Sequence, residues 1–299
     1  MSNNLKAHLF LFLANLIYGI NYTIAKDVMP QYIGPSGFVL LRVIGATLLF
    51  WLIGTSIKSE KIEKEDLKRF ILCGFFGVAA NQILFFEGLN LTTPINASII
   101  MITTPILVLI IASWLIKEKI TKNKMAGIFL GISGAVTLII LKPGEIGFFN
   151  TKNSLGDLFI FLNAAFYAFY LAMAKPLMKK YNTLTVIKWV FLFGLIMVIP
   201  FGFKQFNAIV WQDIPSNIWY AITFVVVCTT FLAYLFNNVA LKLVSPSIVS
   251  AYIYLQPILG SAVALWLGKD SLDWLKVIAA VLIFTGVYLV SKPTKLIGE

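Results

Sequence analysis

Charge is the first thing this chain lacks. Of its 299 residues only 12% are Asp, Glu, Lys or Arg, against about 25% in an ordinary soluble domain. A water-soluble globule of this length would have too few charges to cover its surface. Intrinsic disorder needs low hydrophobicity and high charge, and 59% of this chain is apolar. Both classes are excluded, and a polytopic membrane protein remains. Arginine is scarcer still, with only Arg42 and Arg69 among 24 basic residues, which leaves little for phosphate forks. Histidine occurs once, at His8, and cysteine twice, at Cys73 and Cys228, both inside apolar runs. No CxxC, HExxH, Walker A loop or dinucleotide fingerprint is present, so no cofactor, metal or ATP chemistry is expected. No hydrophilic segment exceeds about 15 residues, too short for an ATPase or sensory domain.

What the chain has in quantity is apolar runs. A bilayer-crossing helix takes roughly 20 mostly apolar residues. Ten such spans are read at about 7–25, 36–56, 69–89, 94–116, 125–141, 155–174, 183–202, 216–241, 246–268 and 274–291. The segments 88–116 and 214–241 hold no charge at all. Lys188 interrupts the seventh span, and the tenth is short. The first run is too long for a signal peptide and has no small-x-small cleavage site before Lys26, so a retained helix is expected.

The basic residues sit between the runs, which points to cytoplasmic loop anchoring rather than to nucleic acid, despite a net charge of +11. With the N-terminus inside, sixteen Lys and Arg fall in cytoplasmic segments and six on the other side. Both termini are therefore expected in the cytoplasm, and the chain in a bacterial cytoplasmic (inner) membrane.

An internal repeat is visible. Residues 94–134 align with 246–286 at a constant offset of 152, with twelve identities in 41 pairs. Among them are Pro94/Pro246, Ser98/Ser250, Pro105/Pro257, Trp114/Trp266, Lys117/Lys269 and Gly134/Gly286. A second register, offset 149, pairs Tyr18 with Tyr167, Lys26 with Lys175 and Met29 with Met178. The chain thus reads as two halves of five spans, about 1–148 and 149–299. Five is odd, so the halves must face opposite ways. The fold expected is an all-α polytopic membrane protein of ten transmembrane helices in two inverted-topology repeats. Two similar halves of opposite orientation can exchange an inward-open and an outward-open state, which is what alternating access requires.

The run from Gly88-Leu89-Asn90-Leu91-Thr92-Thr93-Pro94 to Thr104-Pro105 carries a resemblance. So do Trp114-Leu115-Ile116-Lys117-Glu118-Lys119, Met125-Ala126-Gly127 and Gly131-Ile132-Ser133-Gly134. In the second half, Ser245-Pro246-Ser247, Gln256-Pro257-Ile258, Trp266-Leu267-Gly268-Lys269-Asp270 and Phe284-Thr285-Gly286 continue it. The chain resembles the EamA domain of the drug/metabolite transporter superfamily, twice in tandem over nearly its whole length. One departure is Lys269-Asp270, where the family usually has Gly-Glu. The resemblance implies the ten-helix two-repeat fold, cytoplasmic termini and export of metabolites or drugs.

Polar residues inside the spans are the candidates for solute binding. Arg42 lies about six residues into the second span, ~9 Å deep at 1.5 Å per residue. It would offer a donor fork to a carboxylate or phosphate, or it pins the helix near the external face. Glu87 ends the third span near the same face, where it could pair with Arg42, bind a proton for coupled transport, or hold a cationic solute. Three stripes each share one helix face. They are Asn15, Tyr18 and Tyr22; Asn163, Tyr167 and Tyr170; and Thr230, Tyr234 and Asn237. Lipid would leave their amides unsatisfied, so they should face protein or water. Convergence on one central cavity between the halves is expected, suited to a small zwitterion or an aromatic metabolite. Gln82, Thr103, Tyr252, Tyr254 and Gln256 are secondary candidates. Pro105 and Pro257, at equivalent mid-span places, should kink their helices and could act as hinges. Gly127-x-x-x-Gly131 with Gly134 offers a small-residue face for helix packing.

The residues favour a secondary transporter of a small solute, with membrane lipids as its other partners. A structural or lipid-scrambling membrane protein is the alternative. Gly131-Ile132-Ser133-Gly134 also spells the GxSG of intramembrane serine proteases. No histidine accompanies it within the other nine spans, so an enzyme is not expected.

Overall fold

The computed structural model describes residues 3–56, 60–92, 97, 100–140, 154–266 and 274–292, and among these every regular element is helical. In chain order, the first half supplies α1 (Asn3–Val28), α2 (Pro35–Gly54), α3 (Lys64–Leu91), α4 (Thr104–Ile116) and α5 (Lys122–Ile140). The second half supplies α6 (Ser154–Lys180), α7 (Thr183–Asn207), α8 (Ser216–Leu243), α9 (Pro246–Ala251), α10 (Leu255–Trp266) and α11 (Trp274–Ser291).

Six of these are long and apolar enough to cross a membrane: α1, α2, α3, α6, α7 and α8, with 20 to 28 residues each. At 1.5 Å per residue, 20 residues span about 30 Å of hydrocarbon. Their ends follow local chemistry. Pro35 stands in the first turn of α2, where a missing N–H is harmless. The Asn182 side chain accepts from Leu184 N at 3.0 Å and caps α7. Large apolar side chains point outward, with Trp274 82%, Trp114 73% and Phe129 69% exposed. A soluble protein rarely shows contiguous apolar surface on that scale, and lipid covers it.

Two of the long helices are not uniform. α3 contains a π segment over Phe75–Ala79, and α8 contains one over Phe224–Leu232. Each is the third long helix of its half of the chain.

The expected kinks at Pro105 and Pro257 take another form. Residues 102–103 form a turn, and Pro105 lies in the first turn of the helix that starts after it. In the second half a 3₁₀ turn, Tyr252–Tyr254, separates α9 from α10, and Pro257 is in the first turn of α10. Proline suits the first turn because the N–H it lacks would have no partner there. Both prolines therefore follow interruptions in the helix rather than bend a continuous one.

α5 packs tightly on α11 through glycines. A Cβ on Gly127 would stand 2.6 Å from Gly286 O, and one on Gly134 would stand 2.8 Å from Ala279 O. The small-residue face of α5 is thus occupied within the chain. Ser133, in the same stretch, donates its hydroxyl to Phe129 O at 2.9 Å, an intrahelical bond.

Charged residues join the ends of the helices. Lys180 at the end of α6 pairs with Asp66 at 2.7 Å and with Glu63, and the Tyr181 hydroxyl donates to Asp66 at 2.8 Å. Asn182 N donates to Glu60 Oε2 at 2.9 Å. The approach to α3 is thereby tied to the α6–α7 turn. Lys188 is buried with its ammonium 5.2 Å from the centre of the Trp51 ring, a cation–π contact. Asp157 accepts from the Thr92 hydroxyl at 2.5 Å, joining the start of α6 to the end of α3.

Candidate functional site

A cavity of about 100 Å³ lies among the long helices. α1 contributes Asn15, Tyr18 and Asn21, and α2 contributes Arg42. α3 contributes Asn81, Gln82, Phe85 and Phe86. α6 adds Asn163 and Tyr167, and α8 adds Thr229, Tyr234 and Asn237. Met101 and Val249 line it from just before the two helix interruptions, Ile253 from within the second, and Gln256 from just after it.

Nine sequence candidates meet here: Asn15, Tyr18, Arg42, Gln82, Asn163, Tyr167, Tyr234, Asn237 and Gln256. Six do not. The side chain of Tyr22 lies outside the described residues. Tyr170 is buried and donates to Asn238 Oδ1 at 2.6 Å, with its ring against Gly77. Thr103 donates to Ile100 O at 2.7 Å within the first interruption. Tyr252 shares a 2.7 Å hydrogen bond with His8 Nδ1 and stacks on its ring. Tyr254 packs against Gly131, where it fills the space a Cβ would need. Glu87 accepts from the Ser36 hydroxyl.

Arg42 lines the cavity and does not pair with Glu87. It is only 2% exposed. Its Nε donates to Thr230 Oγ1 at 2.8 Å, and its guanidinium carbon sits 4.2 Å from the centre of the Phe86 ring. Thr230 in turn donates to Val225 O at 2.7 Å, inside the π segment of α8. The guanidinium is therefore held on one edge and one face. Its Nη1 finds no partner among the described residues. A guanidinium has five N–H donors, so part of the fork is left to serve water or solute.

The amides around it are oriented by partners of their own. Asn163 Nδ2 donates to Asn81 O at 2.8 Å, and Asn81 Nδ2 donates to Asn163 O at 3.2 Å, a reciprocal clasp of α3 on α6. The Tyr234 hydroxyl donates to Gly77 O at 3.0 Å, so its oxygen accepts from Gln82 Nε2 at 3.2 Å. Gln256 Nε2 donates to Asn15 Oδ1 at 2.8 Å, and Asn15 Nδ2 donates to Leu11 O at 2.8 Å. Asn237 Nδ2 donates to the Tyr18 hydroxyl at 3.3 Å. With their nitrogens committed, Gln82 Oε1 and Asn163 Oδ1 stay without partners among the described residues, and so do Asn21 Oδ1 and Thr229 Oγ1. Buried polar atoms are nearly always bonded. Several orphans around one cavity mark a place built to meet something polar.

Asn21, Asn81, Phe85, Phe86 and Thr229 were missed by the stripes. Each sits next to or one turn from a residue that was found, and the π segments alter which neighbours face inward.

Residues 5–140 and 154–292 each match the EamA-like transporter family. The chain belongs to that family. An uncharacterized transporter of Bacillus subtilis (strain 168), YyaM, is 28% identical over 292 residues, covering 96% of this chain and 94% of its own. An uncharacterized transporter of Archaeoglobus fulgidus is 28% identical over 291 residues, covering 96% and 97%. A WAT1-related protein of Arabidopsis thaliana, At4g30420, is 27% identical over 201 residues, covering 58% and 54%. One solved crystal structure superposes with a TM-score of 0.75 at 17% identity over 95% of both chains, a likeness of fold. Like the rest of its family, the EamA-like chain described here is an integral membrane protein with a transporter role.

Proposed function

We propose that this chain is a secondary transporter that moves a small metabolite by alternating access, with its solute site in the cavity around Arg42. The observation that carries the reading is the cavity itself. Helices from both halves line it, and five of the eleven buried polar atoms without a partner among the described residues belong to residues that line it. Irregular backbone is tolerated at membrane depth only where protein or a water-filled cavity covers it. The helix interruptions at 102–103 and 252–254, at the edge of this cavity, fit that rule.

Several features support two inverted five-span repeats over 1–148 and 149–299. The interruptions and the π segments recur at related places in both halves. So do two lysine caps. Lys26 Nζ donates to Thr92 O at 3.4 Å, and Lys175 Nζ donates to Leu241 O at 2.6 Å and Val244 O at 2.7 Å. Lys26 and Lys175 are repeat partners at offset 149, and Thr92 and Val244 are partners at offset 152. In this reading α4, α5, α9 joined with α10, and α11 complete ten spans. Both termini lie in the cytoplasm of a bacterial cell, and flux is outward or by exchange.

Purified protein in liposomes tests the reading. Accumulation of a labelled solute against counterflow supports transport. Movement of labelled lipid between leaflets without solute flux would favour the scramblase alternative.

A further inference from the structure

Among the described residues, Arg42 is the one charged residue that lines the cavity, and no described Asp or Glu lines it to balance the charge. Its positive charge is buried, fixed by Thr230 and Phe86, and unpartnered at Nη1 among the described residues. A buried charge needs a partner of opposite sign and further hydrogen bonds. Close by, four more atoms lack a partner among the described residues: Asn21 Oδ1, Gln82 Oε1 and Asn163 Oδ1, which only accept, and the Thr229 hydroxyl, which accepts or donates, all on residues at most 4% exposed. Neither Gln82 nor Asn163 can flip to offer a donor without losing the bond that its nitrogen makes.

We propose, on the reading that this cavity is the solute site, that the solute is a small monocarboxylate bearing hydrogen-bond donors near the carboxyl group. The carboxylate takes the open edge of Arg42. The donors, amino or hydroxyl, take the amide oxygens. Other solute classes fit less well. A cation would meet Arg42 with no acid to offset it. A phosphate or dicarboxylate would bring a second negative charge among amide oxygens that repel it. A wholly apolar solute would leave every orphan unpaired. The volume of about 100 Å³ leaves room for a compact molecule, and Met101, Val249 and Ile253 give it an apolar wall.

The test is thermal unfolding of the purified full chain, which a bound ligand shifts upward by mass action. The probes are L-serine, L-leucine and L-lactate, each against its carboxamide, with succinate, inorganic phosphate and choline alongside. At least one monocarboxylate should raise the unfolding temperature while its carboxamide does not. Arg42→Gln should weaken that ligand at least tenfold. Thr230→Val, which keeps the charge and frees one edge of the fork, should weaken it less. Serine and leucine against lactate separates amino from hydroxyl donors. The proposal is overturned if no monocarboxylate acts, if a carboxamide, dianion or choline acts as well or better, or if Arg42→Gln binds like the native chain. The comparison of acids with amides needs only the native protein, so a poorly folded variant leaves it decisive. The transporter reading fails on a different result, a bound probe that proteoliposomes do not carry.

Discussion

Arg42 of α2 and Thr230 of α8 meet across 188 positions of chain, Nε to Oγ1 at 2.8 Å, inside the membrane-spanning part of the protein. That bond joins a buried cation to a helix turn widened into a π segment. It also settles which way the guanidinium faces, with one edge on Thr230, one face on Phe86 and Nη1 left open. Hydrogen bonds to charged groups are worth about 1.5–3 kcal/mol, and removing one partner exposes that whole sum. Thr230→Val should therefore reduce solute transport by about ten- to a hundredfold in kcat/KM. Protein yield and helix content should hold. Native kinetics in proteoliposomes would show that the bond does not orient the site.

How much of this was legible in the sequence differs by scale. The apolar runs gave the long helices, and Tyr18, Tyr167 and Tyr234 sit around one cavity as their spacing suggested. Two things were hidden. Arg42 looked closest to Glu87 by depth alone, but depth does not report rotation about the helix axis, and Glu87 turns to Ser36 instead. The π segments leave no composition signal, and they decide that Thr229 reaches the cavity while Thr230 grips Arg42. Pro105 and Pro257 were visible, but a proline in a long apolar run reads alike as a kink or as the start of a new helix.

The lysine caps predict an asymmetry. Among the described residues, Lys175 reaches three carbonyls at the end of α8, those of Leu241, Lys242 and Val244, where Lys26 reaches one at 3.4 Å at the end of α3. The last carbonyls of a helix lack intrahelical partners and carry partial negative charge, so an ammonium satisfies both needs. Lys175→Met should lower the unfolding temperature by several degrees, and Lys26→Met should lower it less. Equal losses would show that the longer Lys26 contact matters as much as the short ones.

The glycine seam between α5 and α11 leaves no room for a side chain. A Cβ at Gly286 would come within 2.6 Å of Gly127 O and 2.7 Å of Gly131 N. Those atoms are backbone and cannot rotate aside. Gly286→Val should separate the two helices, at a cost of about 1–3 kcal/mol or more, as overpacking does. The checks are a lower unfolding temperature and reduced yield. Ser113→Ala in α4, at a half-buried hydroxyl that bonds only to Ile110 O of its own helix at 2.8 Å, serves as the control that should change little.

Orientation can be read by accessible thiols. With both termini in the cytoplasm, Glu65 near the start of α3 faces the cytoplasm and Gln212 before α8 faces outward, and both are exposed. The native Cys73 is buried. In intact cells a membrane-impermeant maleimide should label Gln212→Cys and spare Glu65→Cys until the membrane is opened. The reverse pattern would invert the whole topology, including the side from which solute enters.

The charge of Arg42 also sets how the carrier returns. To change sides, an alternating-access protein passes through a state in which the site is sealed from water. Sealed and empty, the site holds a cation with no acid beside it among the described residues. An uncompensated buried charge costs several kcal/mol even after the protein relaxes. Sealed with a carboxylate on Nη1, the same state is close to neutral. The loaded step should then be faster than the empty step, by about tenfold for each 1.4 kcal/mol of difference between the two barriers. Exchange of solute across the membrane should outrun net flux. The measurement is uptake of a labelled solute into proteoliposomes with and without unlabelled solute inside. Internal solute should accelerate uptake at least tenfold. In Arg42→Gln no charge is sealed in the empty state, so that acceleration should shrink even as affinity falls. Equal rates for loaded and empty vesicles in the native protein would mean that the Arg42 charge is balanced in transit by some other group, and the exchange mechanism would fall with it.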